Sequence, residues 1–292
     1  MKSEVRKIDN TKREISIETS GEVIKNKFEE AFKDLNNKVK VKGFRPGHIP
    51  RDVLEKNFSS QANELVLQSL IPELCDEAIK HEGLQAVALL EVSDVKLDRN
   101  TVSFKAQLEV RPEIELKNYK GLTIHYKKAA VAPDEVKRSL DSLKEKHKID
   151  ALDDAFARSM GYPGLAELEK VIERNILSQK DTRNRQHAEE QVLEQLSKGI
   201  DIKLPPSMVG KRLQELVKQT ELDLALKGVP REKLLEEEKN LYKDLEPDAR
   251  KQVQTYLIFA EIAKQENIPD DDHMPNKVME VLFREANWEL TE

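Results

Sequence analysis

The chain has 292 residues, enough for about two domains, with 36% charged and 5% aromatic residues and a net charge of −6. That balance suits strongly periodic, Glu/Lys-rich helices better than a thick core, and the negative charge excludes a protein that coats nucleic acid along its whole length. The single cysteine, Cys75, excludes an internal disulfide framework or a cysteine-rich metal site, and no stretch approaches the roughly 18 apolar residues of a membrane span.

Residues 3–19 read as two short strands joined at Asp9-Asn10-Thr11, with Ile15, Ile17 and Thr19 on one face. The segment from Met1 to Arg6 holds no apolar run, so no secretory leader is expected and the chain is assigned to the cytoplasm. Ser20 is placed to cap a helix to about residue 39, whose apolar positions Ile24, Phe28, Ala31, Phe32 and Leu35 follow the helical period. A Gly/Pro-punctuated loop follows at 43–50, and Pro50 suits the first turn of a short helix through Phe58. A longer helix covers 60–82 and stops at Gly83, with Pro72 as a potential kink and Cys75 on its apolar face. Two strands then flank Asp98-Arg99-Asn100. In the second, Val102, Phe104, Ala106, Leu108 and Val110 alternate with polar residues, so one face is buried.

Residues 113–148 form a linker with an extended piece at 122–126 and a charged helix from Pro133 to about His147. Beyond it the pattern is helical almost to the end. A long helix spans 164–198, with a polar middle between Ser178 and Gln191 that reads as an exposed strut packed at its ends. Further helices are expected over 206–227, 231–245 and 247–267, the last opened by Pro247. Short links of this kind make antiparallel hairpins. The expected fold is therefore an α+β N-terminal domain, 1–112, then the linker, then an elongated all-α C-terminal domain with helical arms, 149–292.

Charge is unevenly spread. Residues 1–112 carry 19 Lys/Arg and 19 Asp/Glu, whereas the rest carry 30 against 36. Between residues 33 and 51, Lys33, Lys38, Lys40, Lys42, Arg45 and Arg51 face only Asp34. This is either a docking surface for something anionic or a solvated helix face. The loop Gly43-Phe44-Arg45-Pro46-Gly47-His48-Ile49-Pro50 combines two glycines for backbone freedom with two prolines for stiffness. Two readings stay open: a presented Phe-Arg pair, its ring for an apolar pocket and its guanidinium for carboxylate or phosphate, or a plain turn whose Phe44 folds back into the core.

No catalytic site is visible, and neither a cofactor nor a metal is expected. The six histidines are scattered without ligand spacing, and no phosphate loop or nucleophile elbow occurs. Asp270-Asp271-Asp272 reads as a solvated inter-helix turn and Asp153-Asp154 as a helix start.

The 43–50 motif closely resembles the ribosome-docking signature of the bacterial trigger factor family, after a similar long helix near the N-terminus. The likeness continues through Asn63-Glu64, Phe104-Lys105-Ala106, Val110-Arg111-Pro112-Glu113-Ile114, Tyr119-Lys120-Gly121-Leu122 and Asp134-Glu135-Val136, and resumes over 149–157. It implies a ribosome-binding domain at 1–112 that contacts ribosomal protein and rRNA of the large subunit near the exit tunnel through Gly43, Phe44, Arg45, Pro46, Gly47 and His48. It also implies a helical body and arms at 149–292 that shelter nascent and unfolded polypeptides without ATP, and self-association through that cradle. Met208, Leu213, Leu216 and Tyr256 are the client-lining candidates, with helix-packing core as the competing role for each. Two departures stand out. His48 occupies a position where family members often carry lysine, which leaves the loop one permanent charge short. The helix ending at His147 runs straight into Ile149-Asp150-Ala151-Leu152, where the family normally inserts an FKBP-like prolyl isomerase domain of about a hundred residues, so no isomerase activity is expected. Rival readings are a free holdase of the periplasmic SurA type and a helical scaffold without clients.

Overall fold

The computed structural model describes residues 1–45, 47–116, 119–149, 151–198, 200 and 202–291, excepting the side chains of Lys233, Leu235, Glu236 and Glu237. Contacts divide the chain into two units, Met1–Ile114 with Asp201–Leu257, and Glu115–Ile200 with Ile258–Glu292.

In the first unit, β1 (Lys2–Lys7), β2 (Lys12–Ser20), β3 (Ala86–Leu97) and β4 (Thr101–Val110) form an antiparallel sheet in the order β1-β2-β4-β3. Register places Ile15 opposite Ala106 and Ile17 opposite Phe104, so the alternating apolar residues of both strands share one buried face. Helices α1 (Glu22–Lys38) and α2 (Arg51–His81) bring Ile24, Phe28, Phe32, Leu54, Val66, Leu70 and Cys75 into the same core. The α1 cap differs from expectation. Ser20 is the last paired residue of β2, and Gly21 makes the strand-to-helix turn at φ +115°, a conformation side-chain-bearing residues rarely adopt. The two helices expected on either side of residue 58 run on as α2, with the break in helical angles at Phe58 (φ −131°, ψ 18°) and not at Pro72.

The same unit contains α6 (Pro206–Leu226) and the first part of α7 (Arg231–Gln265). The separate helices expected at 231–245 and 247–267 are one helix with Pro247 inside it. A proline removes one helical hydrogen bond, and burial of Ala249, Val253 and Leu257 just beyond it holds the helix together. Glu109 on β4 is fully buried, and its Oε2 accepts from the Ser207 amide at the start of α6 at 2.8 Å. The side chain thereby satisfies one of the free amides in the first turn of the helix. Lys203 pairs with Asp9, and the Arg111 guanidinium donates to the Tyr256 hydroxyl at 2.9 Å while lying over its ring.

The second unit is mainly helical: α3 (Pro133–His147), α4 (Asp154–Ser159), α5 (Leu165–Ser197), α8 (Met274–Glu285) and the end of α7. A short strand absent from the expected layout, β6 (Asn287–Leu290), pairs in parallel with β5 (Thr123–Tyr126). The polar middle of α5 proves to be a bracket. Gln191 exchanges hydrogen bonds with both backbone groups of His125 and Asn184 donates to the Lys127 carbonyl, and just beyond the polar middle Gln195 donates to the Thr123 carbonyl. These residues look solvated in sequence because their partner is backbone, which carries no hydropathy signal. Asp153 caps α4 through the Phe156 amide, and Asp154 accepts from the Leu165 amide at the start of α5. Asp271 accepts from the His273 amide and pairs with Lys277 in the turn before α8.

Candidate functional site

The loop between α1 and α2 is braced from one residue of helix α1. The Asn36 carbonyl accepts from the Gly47 amide at 2.8 Å, and its side-chain Oδ1 accepts from the Ile49 amide at 3.0 Å. Ile49 is only 4% exposed and belongs to the core, against which Val39 and Val41 also pack, partly buried. Gly43 and Gly47 sit at φ +95° and +86°, where a side chain is strained. Two local bonds, Phe44 N–H to Val41 and His48 N–H to Arg45, close the turn.

Phe44 is 41% exposed and Arg45 and His48 are exposed. The turn in which Phe44 folds back into the core is therefore not formed. Pro46 lies outside the described residues. Phe44 and Arg45 thus present one apolar and one cationic group to solvent.

The cations near the loop do not act alike. Lys33, Lys38, Lys40 and Lys42 are exposed, with Lys38 reaching Asp34 at 3.5 Å. Arg51 instead turns inward over the Phe32 ring at 3.8 Å and bonds Glu29 and Glu55, each at 2.8 Å. Arg51 and then Arg99 hold the Glu55 carboxyl below its ordinary range. Arg51 therefore braces α1 against α2 and adds little to the outward positive charge.

The four client-lining candidates all belong to the first unit. Met208, Leu213 and Leu216 lie on α6 and Tyr256 on α7, every one half-buried, and Tyr256 is engaged by Arg111. Two residues that sequence reading passed over are far more open: Leu222 and Leu226, 61% and 79% exposed at the end of α6. Asn36 was also missed, because an asparagine late in a helix looks like an ordinary C-terminal residue. Among the described residues no cluster of three or more His, Cys, Asp or Glu could hold a metal, and no helix is long and apolar enough to cross a membrane.

Comparisons with known proteins converge on one family. A family model described as bacterial trigger factor protein matches residues 1–143, and one described as the bacterial trigger factor C-terminus matches residues 164–289. Trigger factor of Natranaerobius thermophilus is 32% identical over 149 residues, which is 50% of this chain and 33% of that protein. Trigger factor of an Anaeromyxobacter species is 35% identical over 149 residues, 49% of this chain and 35% of the relative. The matched stretch thus spans about a third of the length of these curated relatives. A solved structure described as "Promiscuous Substrate Recognition in Folding and Assembly Activities of the Trigger Factor Chaperone" aligns with a TM-score of 0.53 over 97% of this chain and 93% of its own, at 14% identity. That likeness speaks to the fold. The two family matches leave only residues 144–163 between them, too few for the middle isomerase domain.

Proposed function

We propose that this chain, which belongs to the bacterial trigger factor family in a form lacking the middle isomerase region, is an ATP-independent cytoplasmic chaperone that docks on the ribosome and shelters emerging polypeptides. The observation that carries the docking half is the exposed Phe44-Arg45 pair on a loop braced by Asn36 and Ile49. A ring and a guanidinium held by a rigid base lose little entropy on binding, and Arg45 with Lys40 and Lys42 suits the anionic surface of ribosomal RNA and acidic protein side chains near the exit tunnel. Gly43, Pro46, Gly47 and His48 complete the contact strip.

Sheltering follows from dispersed apolar side chains on charged helices. Full burial of one leucine is worth about 1.5–3 kcal/mol. Leu222 and Leu226, with the half-exposed Met208, Leu213, Leu216 and Tyr256, would each hold a client weakly. Contacts of that size release without nucleotide hydrolysis once the client buries its own apolar surface. The same patches would support self-association at high concentration. No prolyl isomerase activity is part of this reading, and the three-part division at 112 and 148 is retained as its functional map.

The test is cosedimentation with bacterial ribosomes at moderate salt, comparing wild type with the Phe44→Ala/Arg45→Ala variant. Wild type should pellet and the folded variant should lose at least about tenfold in affinity, as expected when an aromatic and an arginine anchor are both removed. Equal pelleting would overturn the docking assignment. Failure of both to pellet would favour a free holdase.

A further inference from the structure

Arg51 is the first residue of α2, directly after the docking loop, and by position it counts among the cations of residues 33–51. Its guanidinium is nevertheless engaged inside the fold. Nη1 and Nη2 fork onto the two oxygens of Glu29 on α1 at 3.3 and 2.8 Å, and Nε donates to Glu55 Oε1 on α2 at 2.8 Å. One face of its plane lies on the Phe32 ring. The second oxygen of Glu55 accepts from Arg99 at 2.5 Å. Arg99 stands in the turn between β3 and β4, where Asp98 accepts from the Asn100 and Thr101 amides. The Asn100 carbonyl in turn accepts from the Gly21 amide just before α1. A row of alternating charges, Glu29, Arg51, Glu55 and Arg99, thus ties three elements together, and the turn at its far end is itself fixed to the start of α1.

All three nitrogens of Arg51 are paired with carboxylates, so its charge is answered within the fold. What the row fixes is the point where the loop re-enters the helices. Arg51 is held against the middle of α1, while Asn36, near the end of the same helix, holds Gly47 and Ile49. Phe44 and Arg45 lie on the stretch between these anchors, and contact residues on a fixed base lose less freedom on binding. We propose that Glu29, Arg51, Glu55 and Arg99 form a positioning network for docking, which sets the stance of Phe44 and Arg45 and itself touches nothing on the ribosome. The inference rests on the docking reading above. It reverses the ordinary electrostatic expectation: near an anionic partner the loss of a glutamate strengthens binding, whereas here the loss of Glu55 weakens it.

The test is cosedimentation of the full chain with bacterial ribosomes at several salt concentrations, with far-UV circular dichroism to establish that each variant is folded. Arg51→Gln and Arg51→Lys should both weaken pelleting by about fivefold, because lysine keeps the charge but has neither the fork nor the plane for Glu29, Glu55 and Phe32. Glu55→Gln should weaken it too. The Arg51→Gln/Glu55→Gln double variant should lose no more than the worse single one, as members of one network do; fully additive losses would overturn the network. In the Arg51 variants the slope of log affinity against log salt should keep its wild-type value. A slope shallower by about 0.7–0.9 would mean a lost phosphate contact and would overturn the positioning role. Full pelleting by Arg51→Lys, or tighter pelleting by Glu55→Gln, would overturn it as well. So would a urea midpoint that drops while pelleting holds, since that marks a merely structural brace. Should the Arg51 variants fail to fold, Arg99→Gln carries the test, because the Arg99 side chain is 76% exposed. About threefold weaker pelleting at unchanged slope is expected of it, and wild-type pelleting would overturn the network. If wild type itself does not pellet, the docking reading falls and the network with it; if wild type pellets and every variant matches it, docking stands and the network alone falls.

Discussion

Replacing Asn36 with alanine tests whether the docking loop is held from α1. The substitution keeps the backbone carbonyl that accepts from Gly47 and removes only Oδ1, the acceptor for the Ile49 amide at 3.0 Å. Ile49 is 4% exposed, so its amide would find water only by lifting the side chain from the core. Leaving such a donor unpaired costs about 1–3 kcal/mol, and alanine recovers roughly 0.5 kcal/mol through its higher helix propensity. The expected net loss is about 1–2 kcal/mol in urea unfolding followed by far-UV circular dichroism, with faster exchange of the Ile49 amide. Trp288 lies in the second unit, so its fluorescence is the wrong reporter for this change. Asn37→Ala, one residue on and exposed, should fall within about 0.5 kcal/mol of wild type. Asn36→Asp retains an acceptor oxygen and should restore most of the loss, less about 0.3–1 kcal/mol for an anion near a helix C-terminus. Because the same brace presents Phe44, Asn36→Ala should also weaken ribosome pelleting. If Asn36→Ala and Asn37→Ala unfold together and exchange alike, the loop is not held from Asn36.

Acid sensitivity and thiol reactivity give two further expectations. Lys203 chiefly holds the Asp9 carboxyl below its ordinary range, as Arg51 does for Glu55, Lys180 for Glu135 and Lys120 for Glu266. For depressed carboxyls the stabilisation is complete above the unfolded values, which reach 4.5 for glutamate, and is lost as pH falls through the folded values. The urea midpoint should therefore be level from about pH 7 to 5 and drop below about pH 4; Glu55→Gln should flatten that drop, and an unchanged acid limb would dismiss the Arg51–Glu55–Arg99 cluster as a contributor. Burial first, and then Asp76, push the Cys75 thiol up to about 11, so Ellman's reagent at neutral pH should label the native chain far more slowly than the urea-unfolded one, and equal rates would contradict its burial.

Much of the architecture is legible in local pattern. The periods at Ile24, Phe28, Phe32 and Leu35 and at Val102, Phe104, Ala106 and Leu108 each mark an apolar face, and those faces are buried. The loop is legible too, since glycines at 43 and 47 are what positive φ requires. What such a pattern leaves open is the side chain between them. Phe44 reads equally well as core or contact, and the choice was made by Ile49 and Asn36, which occupy the core and the brace and leave Phe44 outside.

The sequence by itself thus determined most of the helices and the strands of the first unit, their apolar faces and the turn at 43–50, though not β6 or the continuity of α2 and α7, because the former follow from side-chain period and backbone sterics within a few residues. Only the tertiary structure decided what covers each face. Glu109 sits on β4 where residues 101–110 otherwise alternate, yet it is buried because α6, nearly a hundred residues later, brings the Ser207 amide to it. Asn184 and Gln191 read as solvated until the backbone of residues 125–127 is laid beside them. Strand β6 exists because β5, some 160 residues earlier, offers it an edge. In each case the partner is a backbone hydrogen-bonding group distant in the chain, which no hydropathy pattern encodes.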